Sequence, residues 1–193
     1  MHIGLFLGSF NPIHYGHLII ASYMFHYYNF NEIWFVISPH NPMKEDAELL
    51  DEQIRLKMVE MAICNQDNFK ALDIELSLPR PSYTINTLNV LKSKYSSYKF
   101  SLIVGYDNIV TFDKWKDYNN ILERYKVYVY PRISNEHYKN SIEQHESIIM
   151  TKAPIIEISS TFIRKAISQG LYLDYFTTIE VLNFIKTKQL YKK

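Results

Sequence analysis

The sequence is poor in the residues that mark stapled, fibrous or disordered chains. It holds one cysteine, Cys64, so neither an internal disulfide nor a cysteine-based metal site is open to it. Glycine supplies 5 and proline 7 of the 193 residues, too few for a collagen-like or low-complexity chain. Neither sign of charge dominates: the formal net charge is +1, which removes the electrostatic footprint of a dedicated DNA or RNA binder. No apolar run approaches the ~18 residues that a membrane span requires. The chain opens on an apolar strand without a basic leader, which predicts a cytoplasmic protein with neither nucleic-acid nor membrane partners. Arginine is scarce, 5 residues against 16 lysines, so each Arg marks a position where a fixed guanidinium fork has a use.

What is present is apolar and aromatic. Hydrophobic residues make up 47% and aromatics 15%, enough for one packed domain over 1–193. Strand, helix and strand follow one another over residues 3–7, 18–28 and 32–38, a βαβ unit. Further strands are predicted at 69–76, 99–105, 126–130, 147–150 and 155–158. The fold class is therefore α/β: a Rossmann-like, doubly wound, mostly parallel sheet with flanking helices and a short C-terminal helical part over about 159–193. Cys64 lies beside Met58, Met61 and Ile63 in a helical pattern and is expected to be a buried small hydrophobe.

The chemistry begins where the first strand ends. Residues 3–7 form an apolar run closed by Gly8-Ser9, and Asn11-Pro12 then keeps the chain extended, so no helix starts before about Ile13. A helix beginning there puts His14 and His17 on one face of its first turn. Free backbone N–H groups and the positive end of the dipole favour an anion at that place. Two imidazoles beside it suit donation to a phosphate whose charge grows as a bond breaks. A histidine pair at this spacing is also met as a solvated or capping pair. The preceding turn favours the phosphate, because Gly8 permits close backbone approach while Ser9 and Asn11 can orient backbone or ligand oxygens.

Other loops reach the same edge of the sheet. Strand 32–38 runs into Pro39-His40-Asn41-Pro42-Met43-Lys44, whose lysine is either solvated or neutralises phosphates opposite the first turn. An amphipathic helix over 51–65 carries Arg55, with Asp51 as its cap. Ser82 is a plausible cap for a helix over about 83–94, leaving N–H groups free near Tyr83 and Thr84. Asp107, after Gly105, either accepts from ribose hydroxyls or caps a helix over 108–112. Trp115 either stacks on a heteroaromatic base or packs into the core. Strand 126–130 delivers Arg132 to the edge. Ser159-Ser160-Thr161 cap a helix whose N–H groups can face a phosphate, with Arg164 one turn in. A last helix over about 175–186 turns Val181, Leu182 and Ile185 inward, and His137 and His145 find no metal partners.

GSFNPIHYGH at 8–17 closely resembles the nucleotidyltransferase fingerprint G-[ST]-F-[DN]-P-x-H-x-G-H, and ISSTFIR at 158–164 belongs to the same superfamily pattern. Along essentially the whole chain, PHNPMK, PSYTINTL, GYDN with Trp115, ISSTFIR and the closing VLNFIKTKQLY are similar to the bacterial nicotinate mononucleotide adenylyltransferases. The resemblance implies transfer of AMP from ATP to nicotinate mononucleotide, giving nicotinate adenine dinucleotide and pyrophosphate, with Mg²⁺ held mainly by ATP phosphates. It implies that His14, His17, Lys44 and Arg164 contact those phosphates, and that Gly8, Ser9, Phe10, Ser159, Ser160 and Thr161 help to bind ATP. Asn11, Tyr83, Thr84, Gly105, Asp107, Trp115 and Arg132 would hold the acceptor nucleotide. The sequence departs from the pattern at Leu7, where many relatives carry a glycine, at Asn11 in place of the commoner Asp, in the longer Lys44 loop, and at the frequently acidic position of Asn86. None of these removes a phosphate-binding group. Two other readings share the front half: a related transferase acting on nicotinamide mononucleotide or phosphopantetheine, and a nucleotide sensor without turnover. Intact His14 and His17 argue against the sensor, which has no need of transition-state contacts.

Overall fold

A computed structural model describes residues 1–39, 49–133 and 141–192. Its centre is a sheet of six strands: β1 (His2–Gly8), β2 (Glu32–Ile37), β3 (Phe69–Leu72), β4 (Lys99–Gly105), β5 (Lys126–Tyr130) and β6 (Ile148–Met150). They lie in the order β3-β2-β1-β4-β5-β6, and every neighbouring pair is parallel. The order reverses between β1 and β4, so the crevice outside their carboxyl ends is where this architecture places ligands.

Helices cover both faces: α1 (Tyr15–Tyr27), α2 (Glu52–Ile63), α3 (Thr84–Lys94), α4 (Tyr106–Ile109), α5 (Tyr118–Arg124), α6 (Ser160–Ser168) and α7 (Ile179–Lys188). The central strands are apolar on both sides because both sides are covered. Alternation along each strand divides the core. Phe6 and Ile103 join Met24, Met58, Ile163 and Val181 from α1, α2, α6 and α7, whereas Leu5 and Leu102 join Leu88, Ile109 and Ile121 from α3, α4 and α5.

Several local expectations are corrected. β3 stops at Leu72, and Ile74–Ser77 form a 3-10 turn closed by the Leu76 N–H on the Asp73 carbonyl. That turn buries Glu75, which receives the Thr87 hydroxyl of α3 at 2.6 Å. Residues 155–158 make no strand. They run past the start of α1, where Ile156 and Ile158 pack against the first core. Cys64 is exposed, because it sits at the C-cap of α2, outside the helix's inward stripe. α3 starts at Thr84 with Tyr83 at its N-cap, so Ser82 is not the cap. The helix expected over 108–112 becomes α4 followed by a 3-10 turn at Phe112–Lys114. Gly105 takes the N-cap of α4, which places Asp107 inside its first turn rather than at the cap. The last helix begins at Ile179, capped by the Thr178 hydroxyl, because residues 176 and 177 are bonded to the β1–α1 turn. Its Val181, Leu182 and Ile185 are buried as expected. Lys44, with most of its loop, and His137 lie outside the described residues.

Candidate active site

The turn from β1 to α1 is built around an aromatic plug. A Cβ on Gly8 would lie 3.0 Å from the Phe10 ring, so the glycine makes room for that ring. Phe10 adopts a left-handed φ of 45° and is buried, edge-on to Phe6, Phe35 and His17 at centroid distances of 5.8, 5.6 and 5.1 Å. Its side chain is core, and what it offers the site is a seat for His17. After the cis Asn11–Pro12 peptide, His14 occupies the N-cap of α1 in an extended conformation. The rings of His14 and His17 stack at 3.7 Å and 24°. A Cβ on Gly16 would come within 2.9 Å of His14 Nδ1 and 3.2 Å of Ile156, so the residue between the histidines has no space for a side chain.

Hydrogen bonding fixes one tautomer. His17 Nδ1 accepts from the His14 backbone N–H at 3.3 Å, which leaves the proton of the neutral ring on Nε2. Burial is the main force holding the His14 pKa down, to about 3, and the Arg132 guanidinium adds to it. His17 is pushed well below its ordinary value by burial first, then by His14 and Arg132. Both rings are therefore neutral near pH 7. His14 Nδ1 is buried and has no hydrogen-bond partner among the described residues.

The C-terminal part holds this turn by its backbone. Arg164 donates to the Asn11 carbonyl at 3.0 Å, Ser160 Oγ to the Pro12 carbonyl at 2.8 Å, and Thr177 Oγ1 to the Ile13 carbonyl at 2.8 Å. The Tyr15 N–H in turn donates to the Phe176 carbonyl at 3.0 Å. Ser159 caps α6 as expected, accepting from the Phe162 N–H at 3.2 Å, while Thr161 is exposed on the first turn. Ser9 reaches the site through its backbone: its carbonyl accepts from Arg55 at 2.6 Å.

Sequence reasoning noted Arg55 but gave it no role. The side chain is fully buried, and it also donates to the carbonyls of Ser38, Pro39 and Leu50 at 2.8, 3.0 and 2.9 Å. One guanidinium thus ties the first turn to both stems of the segment that carries Lys44. The signal was available: Arg55 falls on the same helix face as Met58 and Val59, and a cation on a buried stripe needs partners.

The opposite wall is more open. Arg132 Nε lies 3.4 Å from Asp107 Oδ1 across Gly105, and its Nη2 donates to the Tyr130 hydroxyl at 2.9 Å. Both members of the Asp107–Arg132 pair are close to half exposed. Trp115 stacks on Phe112 at 4.8 Å, so one face of the indole is packed while the residue keeps partial exposure. The Lys116 ammonium lies 4.6 Å over the Tyr83 ring, joining the start of α3 to the segment after α4. A small cleft lined by His14, His17, Tyr130, Arg132, Ile156 and Ile158 lies between the two walls. Among the described residues no group of three or more His, Cys, Asp or Glu is arranged to hold a metal ion, and none contains a helix long and apolar enough to cross a membrane. Neutral imidazoles, guanidinium groups and helix starts are groups able to donate hydrogen bonds to anionic oxygens.

Comparison with known proteins agrees with this architecture. The cytidylyltransferase-like family model matches residues 5–166. The probable nicotinate-nucleotide adenylyltransferase of Flavobacterium johnsoniae is 47% identical over 193 residues, covering all of both chains. That of Cytophaga hutchinsonii is 44% identical over 191 residues, covering 99% of this chain and 98% of its own. Among solved structures, the nicotinic acid mononucleotide adenylyltransferase of Plasmodium falciparum complexed with NaAD superimposes with a TM-score of 0.77 at 20% identity, over 98% of this chain and 97% of that one. At that identity the likeness is one of fold. The fingerprint turn, the parallel sheet with its switch point between β1 and β4, and full-length similarity at 44–47% identity converge: the chain belongs to the nicotinate-nucleotide adenylyltransferase family.

Proposed function

We propose that the protein transfers the adenylyl group of ATP to the 5′-phosphate of nicotinate mononucleotide, releasing pyrophosphate and forming nicotinate adenine dinucleotide. The observation that carries this reading is the stacked, neutral His14–His17 pair at the start of α1, whose preceding turn is held by side-chain hydroxyls of α6 and residue 177 on its carbonyls, inside a family of that activity. A phosphate oxygen of the mononucleotide attacks the α-phosphorus in line. The bond from that phosphorus to the bridging oxygen breaks, and pyrophosphate leaves with the electron pair. The attacking group is already an anion near neutral pH, so the protein supplies position and charge stabilisation rather than a nucleophile or a base.

In this reading His17 donates through Nε2–H to the phosphates, and His14 joins it at the helix start. Neutral rings suit a desolvated site beside Arg132, and a bound polyphosphate favours their charged form, so the donors strengthen as the substrate binds. Arg164, oriented by the Asn11 carbonyl, faces the same phosphates with the N–H groups over Ser159–Thr161, and the sequence pattern assigns Lys44 to them as well. Mg²⁺ would accompany the substrate on the ATP phosphates, where it would neutralise their charge. Tyr83, Thr84, Asp107, Trp115 and Arg132 form the acceptor side, where the open indole face can stack on the pyridine ring and the α3 start can donate to its carboxylate.

The test is an acceptor panel. The protein is incubated with ATP, Mg²⁺ and, in turn, nicotinate mononucleotide, nicotinamide mononucleotide or phosphopantetheine, and pyrophosphate and adenylylated product are quantified. Turnover favouring the nicotinate acceptor is expected. Preference for another acceptor, or binding without pyrophosphate release, would overturn the proposal.

A further inference from the structure

We infer that Tyr191 is a positioning residue for adenylyl transfer, acting through Asn11; this rests on the function proposed above. The Tyr191 hydroxyl donates to Asn11 Oδ1 at 2.8 Å across 180 residues of sequence. Asn11 is almost wholly buried, so the phenol's bond to that oxygen is shielded from bulk solvent and helps to hold the amide in one orientation. The main-chain carbonyl of the same Asn11 receives Arg164, and three residues later the chain delivers His14. One phenol therefore holds the residue from which two candidate phosphate ligands take their direction.

The backbone is bent to bring the phenol there. α7 ends with the Leu190 N–H on the Ile185 carbonyl, and both Gln189 and Tyr191 adopt left-handed φ values, 52° and 61°. Non-glycine residues in that region carry strain that surrounding contacts must offset. Here the offset is packing of the half-buried ring against the first core together with the bond to Asn11. Arg164 and Arg55, the two guanidinium groups that hold the turn, both lie close enough to act electrostatically on the phenol. The geometry completes a set: Ser160, Arg164 and Thr177 fix the carbonyls of residues 11–13, and Tyr191 fixes the one side chain among those three residues that makes side-chain hydrogen bonds.

Tyr191→Phe keeps the ring and deletes the donor. With ATP, Mg²⁺ and nicotinate mononucleotide, kcat is expected to fall about tenfold, within the range that small misplacements of a reacting group produce. KM for both substrates should stay within about twofold. In an Asn11→Ala background the same substitution should cost less than about twofold, because the partner is already gone. Hydrogen exchange supplies a readout independent of turnover: amides of residues 9–17 should exchange faster in Tyr191→Phe, while those of α3 keep their protection. Unchanged kcat, a loss confined to KM, an equal loss in both backgrounds, or a melting temperature lowered by more than about 10 °C with uniform loss of protection would each overturn the inference, the last by showing that the phenol supports the fold and not the turn. A wild-type protein that fails to release pyrophosphate would instead overturn the proposed reaction, and the exchange measurement would still decide whether Tyr191 orders the turn.

Discussion

The two walls of the cleft are held in opposite ways. On the β1–α1 side, every carbonyl from residue 11 to 13 receives a side chain from the C-terminal part, Arg55 ties residue 9 to both stems of the segment between β2 and α2, and the histidines are neutral. On the β4–β5 side, the polar links include a half-exposed ion pair at 3.4 Å, and Tyr83 and Trp115 are only partly buried. Charge stabilisation in a transition state needs donors that do not reorganise, whereas a surface that takes up a nucleotide and lets a dinucleotide leave must stay accessible. The difference teaches a division of labour: the fixed wall should govern kcat and the open wall KM.

The heaviest blow to the fixed wall is Arg55→Met. It leaves four carbonyls, one buried and three partly buried, without their donor, and charged hydrogen bonds of this kind are worth about 1.5–3 kcal/mol each, so a total loss of about 3 kcal/mol or more is expected. Thermal unfolding would then show a midpoint lower by roughly 10 °C for a chain of this size; an unshifted midpoint would mean the clamp is dispensable. Next comes Arg164→Lys, in which a single ammonium replaces a fork that holds the Asn11 carbonyl and, in the proposed reaction, would reach a phosphate as well. Turnover should fall about tenfold with stability nearly kept, and steady-state kinetics beside a melting curve separates the two effects.

Trp115→Ala probes the open wall. Base stacking is worth about 1–3 kcal/mol, so KM for nicotinate and nicotinamide mononucleotide alike should rise about tenfold while kcat moves little. A fall in kcat at constant KM would break the proposed division. Smaller again is the acid response of the fixed wall. The His14 pKa is lowered in the fold to about 3 from an ordinary 6.5, so the unfolded chain binds the extra proton first. That contribution is fully present above pH 6.5 and is lost as pH falls from 6.5 towards 3. His14→Gln should flatten this part of the stability profile measured by urea unfolding, and an identical profile would place the ring in a wetter setting. Least of all, Asp107→Asn should change stability by less than about 1 kcal/mol, since both partners of its ion pair are near half exposed and screened by solvent.

The same division explains what the sequence disclosed. The fixed wall's front was legible because its constraints are local: Gly8, Asn11-Pro12 and the His14–His17 spacing act within one turn of chain. Its scaffold was not. Thr177 and Tyr191 lie 164 and 180 residues from the atoms they hold, and nothing in a local pattern reports such a distance. β1, β4 and β5 were plain because central parallel strands are continuous apolar runs. Residues 155–158 are also mostly apolar yet make no strand: Ile156 lies against Gly16 of α1, and Ile156 and Ile158 pack against the first core instead of joining the sheet. Cys64 was misjudged from its neighbours, since a helix's final residue can leave the stripe that the preceding turns define.

His17→Ala tests the central claim most directly. With ATP, Mg²⁺ and nicotinate mononucleotide at varied concentrations, loss of a donor aimed at developing charge is expected to lower kcat by 10²–10³-fold, about 2.7–4 kcal/mol, while KM for each substrate stays within about threefold. An enzyme whose kcat is unchanged and whose KM for ATP alone rises would show that the stacked pair only binds the ground state, and the assignment of chemistry to the fixed wall would be wrong.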